Sequence, residues 1–122
     1  MDNKGLKIRK AVLGEAYVSN ALENVDSFNK PFQEMLNEYA WGSVWGREGL
    51  PRKSRSMLNI AMLSILNRPH ELRTHLKGAL TNGVTRDEIR EILMQVAVYG
   101  GMPAAVDGFR VARDVFAELD KT

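Results

Sequence analysis

The stretch from residue 67 to residue 109 limits the fold most tightly, because it carries start and stop signals for three consecutive helices. Asn67 can cap a helix whose first residue is Pro69, a position where the missing N–H of proline costs nothing. Asn82-Gly83 then supplies a left-handed residue that ends this helix. The sequence therefore predicts a helix of about a dozen residues between these two signals.

The two helices that follow have equally clear signals. Thr85 is placed to cap the first of them, and Glu88 three residues later completes a capping box. Gly100-Gly101 ends that helix, and Pro103 opens the next one in its first turn. The chain has no run with strand-like alternation and no internal repeat, so we predict an all-α fold.

Three further segments near the N-terminus have apolar residues at helical spacing. Helices are predicted over 6–13, with Gly14 as the stop, and over 15–22. Asp26 or Ser27 is placed to cap the third segment. Together with the helices above, these segments predict a bundle of about six or seven helices in a single domain of 122 residues. Within it we expect an N-terminal helical arm over 1–26 and a core over 27–122.

The segment 53–66 is unusual because apolar residues cover almost its whole circumference as a helix. A helix that is apolar all round must be buried on all sides, and a chain of this length has a limited interior. We therefore predict that other subunits cover part of it, in a homo-oligomer. The alternative is a central helix wrapped by its neighbours in the same subunit.

Composition excludes several classes of function. The 17 basic and 15 acidic residues are interspersed and nearly balanced, which argues against nucleic-acid binding. Without cysteine there is no disulfide, thiolate metal site or thiol redox chemistry, and the two histidines lack metal-binding spacing. The N-terminus lacks the apolar core of a signal peptide, and no run reaches the ~20 apolar residues of a membrane span. We expect a cytoplasmic protein that is not bound to membranes and has no metal site.

Polar residues follow one border of the apolar face of the helix after Pro69. Glu71 lies one turn before His75, and Gly78 leaves room beside the imidazole. A carboxylate that orients a histidine can make an acid/base pair. The same spacing also suits a border histidine tied to a carboxylate for stability, and spacing does not decide between the two interpretations.

Arginines and tryptophans add candidates for a binding site. Arg55 belongs to a basic cluster at the start of the helix over 53–66, where either a bound anion or a solvated basic turn explains it. Arg47 is a second candidate, or a surface arginine packed over an aromatic ring. Trp41 and Trp45 are four residues apart and share a face, so they form either part of the core or the wall of a pocket.

Three blocks of the sequence carry a resemblance to a known family. They are YAWGSVWGREGL (Tyr39–Leu50), the stretch Arg55–Thr85, which contains HLKGALTNGVT, and the stretch Glu88–Phe109, which contains YGGMPAA. With a looser match over 14–32, the chain resembles the carboxymuconolactone decarboxylase family. The resemblance implies an all-helical subunit of the alkyl hydroperoxidase D-like type that assembles as a trimer or hexamer.

Relatives of alkyl hydroperoxidase D carry two cysteines in a CxxC motif before the histidine. Arg68 and Glu71 occupy those two positions here, ahead of His75. A peroxidase of this type needs the thiols, so the chemistry excludes that branch of the superfamily.

The resemblance implies a cofactor-free decarboxylase that converts 4-carboxymuconolactone, a dicarboxylate lactone, to the enol-lactone of 3-oxoadipate in protocatechuate catabolism. For that reaction we assign His75 as the proton donor to the ring carbon or the donor to the lactone oxygen, with Glu71 orienting it and keeping it protonated. Arg47 or Arg55 would hold the acetate group that remains in the product.

The leaving carboxylate would lie against Trp45 and Tyr99, with Trp41 beside them. Tyr99 could also donate to the oxyanion, or be a tyrosine at the edge of the core. Two other functions stay open: an enzyme of the same fold acting on another small lactone or carboxylic acid, and a non-catalytic oligomeric binding protein.

Overall fold

The structure is a computed structural model, and it describes residues 3–121. Its elements are α1 (Asn3–Leu13), α2 (Glu15–Glu23), α3 (Lys30–Met35), which continues directly as a π-helical segment (Leu36–Val44), α4 (Arg52–Ile65), α5 (Pro69–Thr81), α6 (Arg86–Gly100) and α7 (Met102–Asp120). No strand occurs within the described part of the chain. The predictions of an all-α fold and of six or seven helices are confirmed.

The chain divides into two compact units, Met1–Arg52 and Lys53–Thr122, called here the N-terminal unit and the C-terminal unit. The first contains α1 to the π-helical segment, and the second contains nearly all of α4 together with α5, α6 and α7. The predicted division of the domain into an arm over 1–26 and a core over 27–122 stays a prediction.

In the N-terminal unit, α1 packs against α2 and against the π-helical segment. Gly5 makes the second contact possible, because a Cβ at this position would lie 1.8 Å from the backbone oxygen of Asn37. Four buried apolar residues of this unit form one cluster: Ile8, Val12, Trp41 and Trp45. The segment that carries Trp41 and Trp45 is therefore a helix that helps to form the core.

Arg9 is the buried cation of the N-terminal unit, with 5% of its surface exposed. Its Nη1 donates to Oε1 of Gln33 at 3.0 Å and to Oδ1 of Asn37 at 2.9 Å, while its buried Nε has no hydrogen-bond partner. Burial lowers the pKa of Arg9, and Tyr17 partly opposes this effect. Two neutral amides thus hold a charged group inside the unit.

The core of the C-terminal unit draws on all four of its helices, and its fully buried members are Ile60, Leu72, Leu76, Ala79, Val84, Ile89, Leu93, Ala112 and Val115. Helix α7 packs against both α5 and α6.

At the surface of this unit, Arg86 makes two hydrogen bonds to Asp120, the shorter of 2.7 Å, and lies over the ring of Phe116. Such exposed pairs contribute little stability, so the apolar core holds this unit together.

Two of the predicted helix ends in this unit are confirmed in detail. Gly83 adopts a left-handed φ of 96°, and the N–H of Val84 donates to the carbonyl of Ala79 at 2.9 Å, which closes α5. Both bonds of the capping box are present at the start of α6: Oγ1 of Thr85 accepts from the N–H of Glu88 at 3.0 Å, and Oε1 of Glu88 accepts from the N–H of Thr85 at 2.9 Å.

The prediction that Asn67 caps α5 is wrong, because Asn67 ends the preceding helix instead. The φ of Asn67 is 57°, the N–H of Arg68 donates to the carbonyl of Leu63 at 3.0 Å, and the N–H of Asn67 donates to the carbonyl of Ser64 at 3.3 Å. These bonds form a Schellman motif at the end of α4. Arg68 then precedes Pro69 in the cap position, and its side chain makes no capping hydrogen bond to α5.

Helix α4 is buried on one face only. Its fully buried residues are Ser56, Ile60 and Ser64, whereas large apolar side chains on another face are about half exposed: Leu58 at 50%, Met62 at 49%, Ile65 at 48% and Leu66 just beyond the helix at 61%. The alternative of a helix wrapped by its own subunit is therefore wrong. The homo-oligomer stays a prediction.

None of the helices described in residues 3–121 combines the length and the apolar character needed to cross a membrane.

Candidate active site

Helices α4 and α5 meet through a layer of polar side chains inside the C-terminal unit. Nδ2 of Asn82 donates to Oγ of the buried Ser56 at 3.0 Å. Farther along α4, Nδ2 of Asn59 lies 3.4 Å from Nδ1 of His75. Gly78 on α5 is buried, so the absence of a side chain there leaves room for this polar layer.

The imidazole of His75 is mostly buried, and burial lowers its pKa from 6.5 to about 4. Glu71 acts in the opposite direction through its negative charge, but it is exposed and its effect is the smaller one. The expectation that Glu71 keeps the ring protonated is therefore wrong. At pH 7 His75 is neutral, so it offers one N–H donor and one nitrogen acceptor.

Arg55 stands one helical turn before Asn59, on the same side of α4. Its side chain is half-buried, its Nε is fully buried, and it makes no hydrogen bond or ion pair with any residue between 3 and 121. The neighbouring Lys53 is already engaged with Glu88 on α6 at 3.0 Å. A desolvated guanidinium with an unused donor favours an acceptor that comes from outside the chain, such as a carboxylate.

The remaining arginine and the two tryptophans belong to the N-terminal unit. Trp41 and Trp45 stack with ring centroids 5.0 Å apart and are only 4% and 8% exposed. Their packing with Ile8 agrees with the interpretation of this pair as core. Arg47 lies on the surface just after them.

Tyr99 is 80% exposed near the end of α6, and its side chain makes no hydrogen bond or ring contact with any other residue in the described part of the chain. It follows Ile92 and Gln95 along one face of α6. Those two residues line an open apolar groove of about 370 Å³ against Met57 and Leu58 of α4. Of the predicted catalytic residues, Glu71 and His75 lie one turn apart on α5, and Tyr99 lies on α6.

Sequence reasoning missed Asn59, which contacts the imidazole directly. A signal for it existed: Ser56 and Asn59 are polar and three residues apart, therefore on one face of the helix, and every other residue from Met57 to Leu63 is apolar. Only the pairing of that face with α5 shows which side chain each of them meets.

Two side chains of the C-terminal unit suit the chemistry of carboxylates. Arg55 carries a charge that can hold an anion, and His75 is a buried neutral ring that can donate a hydrogen bond where charge develops. Within residues 3–121 no three His, Asp or Glu side chains come together as a possible metal site.

Comparison with known proteins identifies the family. A sequence model of the carboxymuconolactone decarboxylase family matches residues 30–114. The chain is 45% identical over 116 residues to a 4-carboxymuconolactone decarboxylase from Acinetobacter baylyi, and the match covers 95% of this chain and 87% of that protein.

A second relative, from Metarhizium robertsii, is named nitrosuccinic acid decarboxylase. It is 43% identical over 117 residues, which cover 96% of this chain and 82% of that protein. A shorter match, 47% identical over 38 residues, reaches a 4-carboxymuconolactone decarboxylase from Pseudomonas putida and covers 31% of this chain and 79% of that protein. The resemblance inferred from the sequence is confirmed: the chain belongs to the carboxymuconolactone decarboxylase family.

Proposed function

We propose that this protein is a cofactor-free carboxy-lyase that converts 4-carboxymuconolactone to 3-oxoadipate enol-lactone and carbon dioxide. The observation that carries the proposal is the 45% identity, over 95% of the chain, to a protein named for this activity. The buried imidazole of His75 and the unpaired guanidinium of Arg55 in one unit support it, because the substrate carries two carboxylates.

The substrate contains its own electron acceptor. Its departing carboxylate is bonded to the ring carbon next to a C=C that is conjugated to the lactone carbonyl. When the C–C bond breaks, carbon dioxide leaves and the electron pair moves through the C=C onto the carbonyl oxygen. The product of this step is a furanolate-like dienolate, which becomes the enol-lactone when a ring carbon takes up a proton. The protein has to hold a dianion and stabilise the new oxyanion.

We assign these two tasks to residues of the C-terminal unit. Arg55 binds the acetate carboxylate that stays in the product, and its buried, unpaired Nε supports this choice over the exposed Arg47. His75 donates a hydrogen bond to the lactone carbonyl oxygen, which suits a neutral ring better than delivery of a proton to carbon. Glu71 raises the basicity of the ring in part. A catalytic role for Tyr99, Trp41 or Trp45 stays a prediction.

A turnover assay tests the proposal. Enzymatically generated 4-carboxymuconolactone is supplied to the protein, and release of carbon dioxide is followed together with formation of the enol-lactone. We expect robust turnover that His75→Ala lowers by about 10²–10³-fold, as for loss of an oxyanion donor. His70→Ala is the matched control, since His70 is exposed on the same helix. Absence of turnover by the folded wild-type protein would reject the lactone as substrate.

A second substrate has nearly equal support from the comparisons, because the relative named nitrosuccinic acid decarboxylase is 43% identical. Nitrosuccinate also carries one carboxylate beside an electron acceptor, the nitro group, and a second carboxylate that is retained. Loss of the first carboxylate would give a nitronate, and Arg55 could hold the second one. Measuring kcat/KM for both compounds under the same conditions decides between them.

The assembly and the location of the protein are also proposals. The half-exposed apolar side chains of α4, such as Leu58 and Met62, support a homo-oligomer. The resemblance to the carboxymuconolactone decarboxylase family implies a trimer or hexamer. Light scattering on the purified protein measures the subunit number, and a monomer at micromolar concentration would reject the oligomer. We place the activity in the cytoplasm.

A further inference from the structure

Asn59 has no part in the reaction described so far, yet its amide touches the ring that does. Nδ2 of Asn59 lies 3.4 Å from Nδ1 of His75, within hydrogen-bonding distance. An amide nitrogen only donates hydrogen bonds, so Nδ1 must be the acceptor. A neutral imidazole carries one proton, and that proton then belongs on Nε2.

The surroundings of this contact keep it in place. Asn59 and His75 both belong to helices, and the bond between Asn82 and the buried Ser56 fixes α4 against α5 three residues earlier along α4. Groups held on packed helices keep their geometry better than groups on loops. The contact is therefore a property of the helix pair and not of a mobile surface side chain.

We propose that Asn59 is a positioning residue that keeps His75 in the tautomer with its proton on Nε2, so that the ring serves decarboxylation as a neutral hydrogen-bond donor. The use of that donor at the lactone oxyanion rests on the proposed function, whereas the tautomer is a property of the protein without substrate. As the C–C bond breaks, the electron pair arrives on the carbonyl oxygen, which accepts the hydrogen bond from Nε2–H. The ring keeps its proton, and the ring carbon of the product is protonated from water.

An asparagine suits this role better than an aspartate would. A carboxylate beside Nδ1 would accept a hydrogen bond, draw the proton to Nδ1 and stabilise the imidazolium. The amide does neither, and burial keeps the ring uncharged. Glu71 is the charged group that acts on the ring from α5, and Arg55 is the charged residue one turn from Asn59 on α4.

Nitrogen-15 NMR of protein labelled at histidine tests the tautomer directly, since protonated and unprotonated ring nitrogens give distinct signals. In the ligand-free wild type at pH 7 we expect an unprotonated Nδ1 and a protonated Nε2 for His75, with a His70→Gln variant assigning the signals. In Asn59→Asp the proton should move to Nδ1, and the pKa of His75 should rise by roughly 1–3 units. Asn59→Ala, which adds no charge, should lose the preference for one tautomer.

The same variants are then assayed for turnover. For Asn59→Asp we expect kcat to fall by about 10²-fold with a smaller change in KM, because the ring no longer presents its donor to the oxyanion. His70→Gln is the matched control, since His70 is exposed on the same helix as His75 and has no role in the site. It should keep the wild-type tautomer and a kcat within a few-fold of wild type.

A proton on Nδ1 in the wild type, or an unchanged tautomer in Asn59→Asp, would overturn the inference. So would a displaced proton with wild-type kcat, because the tautomer would then be irrelevant to the reaction. If the NMR results are as expected but neither lactone nor nitrosuccinate is turned over, the proposed function fails while the assignment of the tautomer stands.

Discussion

The two units of the chain each contain an arginine whose Nε is buried without a hydrogen bond, and they use it differently. Arg9 in the N-terminal unit donates through Nη1 to the amide oxygens of Gln33 and Asn37. Arg55 in the C-terminal unit has no partner within residues 3–121. Nη1 of the first guanidinium is paired within its own unit, so Arg9 is structural. The second lacks an acceptor that a ligand can supply. Hydrogen-bond partners within the chain therefore distinguish a structural arginine from a ligand-binding one better than the extent of burial does.

The first prediction concerns function and has the largest expected effect. Arg55→Gln should lower kcat/KM for the lactone by about 10²–10³-fold, since truncating one partner of a buried charge pair costs 2–5 kcal/mol. Its free energy of unfolding should change little, because Arg55 makes no hydrogen bond or ion pair within residues 3–121 that the variant breaks. Steady-state kinetics and urea unfolding measure the two quantities. If Arg55→Gln lowered the free energy of unfolding but left kcat/KM unchanged, Arg55 would be a structural residue like Arg9.

Arg9→Met should show the opposite pattern. Methionine fills much of the volume but leaves the amides of Gln33 and Asn37 without their donor, so we expect a loss of about 1–3 kcal/mol in the free energy of unfolding. The kcat/KM of the folded fraction should stay near wild type. Urea unfolding followed by tryptophan fluorescence reports on this unit, since both tryptophans lie in it. A variant as stable as wild type would show that the buried charge contributes nothing net.

The pH dependence of the free energy of unfolding tests whether the imidazole of His75 is uncharged in the folded protein. Its folded pKa of about 4 lies below the ordinary value of 6.5, so between these values the unfolded chain binds more protons. Above pH 6.5 the ring is neutral in both states and His75 does not lower the free energy of unfolding. As the pH falls towards 4, protonation of the unfolded chain lowers the free energy of unfolding by roughly 2–3 kcal/mol. His75→Gln should lose less stability than wild type between pH 7 and 4.5 in urea unfolding. The exposed His70, changed to Gln, is the control and should follow wild type.

The smallest effects are expected at helix ends. Thr85→Ala removes the acceptor for the N–H of Glu88 and should cost about 1 kcal/mol. Asn67→Gly should change stability by a few tenths of a kcal/mol or less, because glycine adopts the left-handed φ of 57° at least as easily. Thermal unfolding compares the two variants. A larger loss at Asn67 would mean that its side chain has a role beyond the turn.

Signals that depend on neighbours three or four residues away were readable from the sequence. Thr85, Glu88 and Gly83 belong to such local patterns, and their roles are as predicted. The prediction for Asn67 was wrong because asparagine is common both at a helix start and at a left-handed helix end. The backbone hydrogen bonds at the end of α4 decide between the two roles.

Features that depend on distant residues were not readable in the same way. The charge of His75 is set by burial, which outweighs the nearby Glu71 that the sequence makes visible. The role of Asn59 needs α5 to be placed against α4. For Trp41 and Trp45 the sequence left core and pocket wall open, and their packing in the N-terminal unit agrees with the core.

The π-helical segment makes the N-terminal unit sensitive to a change in the number of residues between 36 and 44. Residues four apart drift by about 40° around an α-helix. A helix with bonds such as that from the N–H of Trp45 to the carbonyl of Ala40 takes more residues per turn, so the drift is no longer in that direction, and Asn37, Trp41 and Trp45 stay in one column on the same side of the helix. All three are buried, at 0%, 4% and 8% exposure. Removing a single residue between 36 and 44 would let ordinary winding resume and would turn this column out of register. The spacing of the segment is therefore under stricter constraint than many of its individual side chains, and it tolerates substitution better than insertion or deletion.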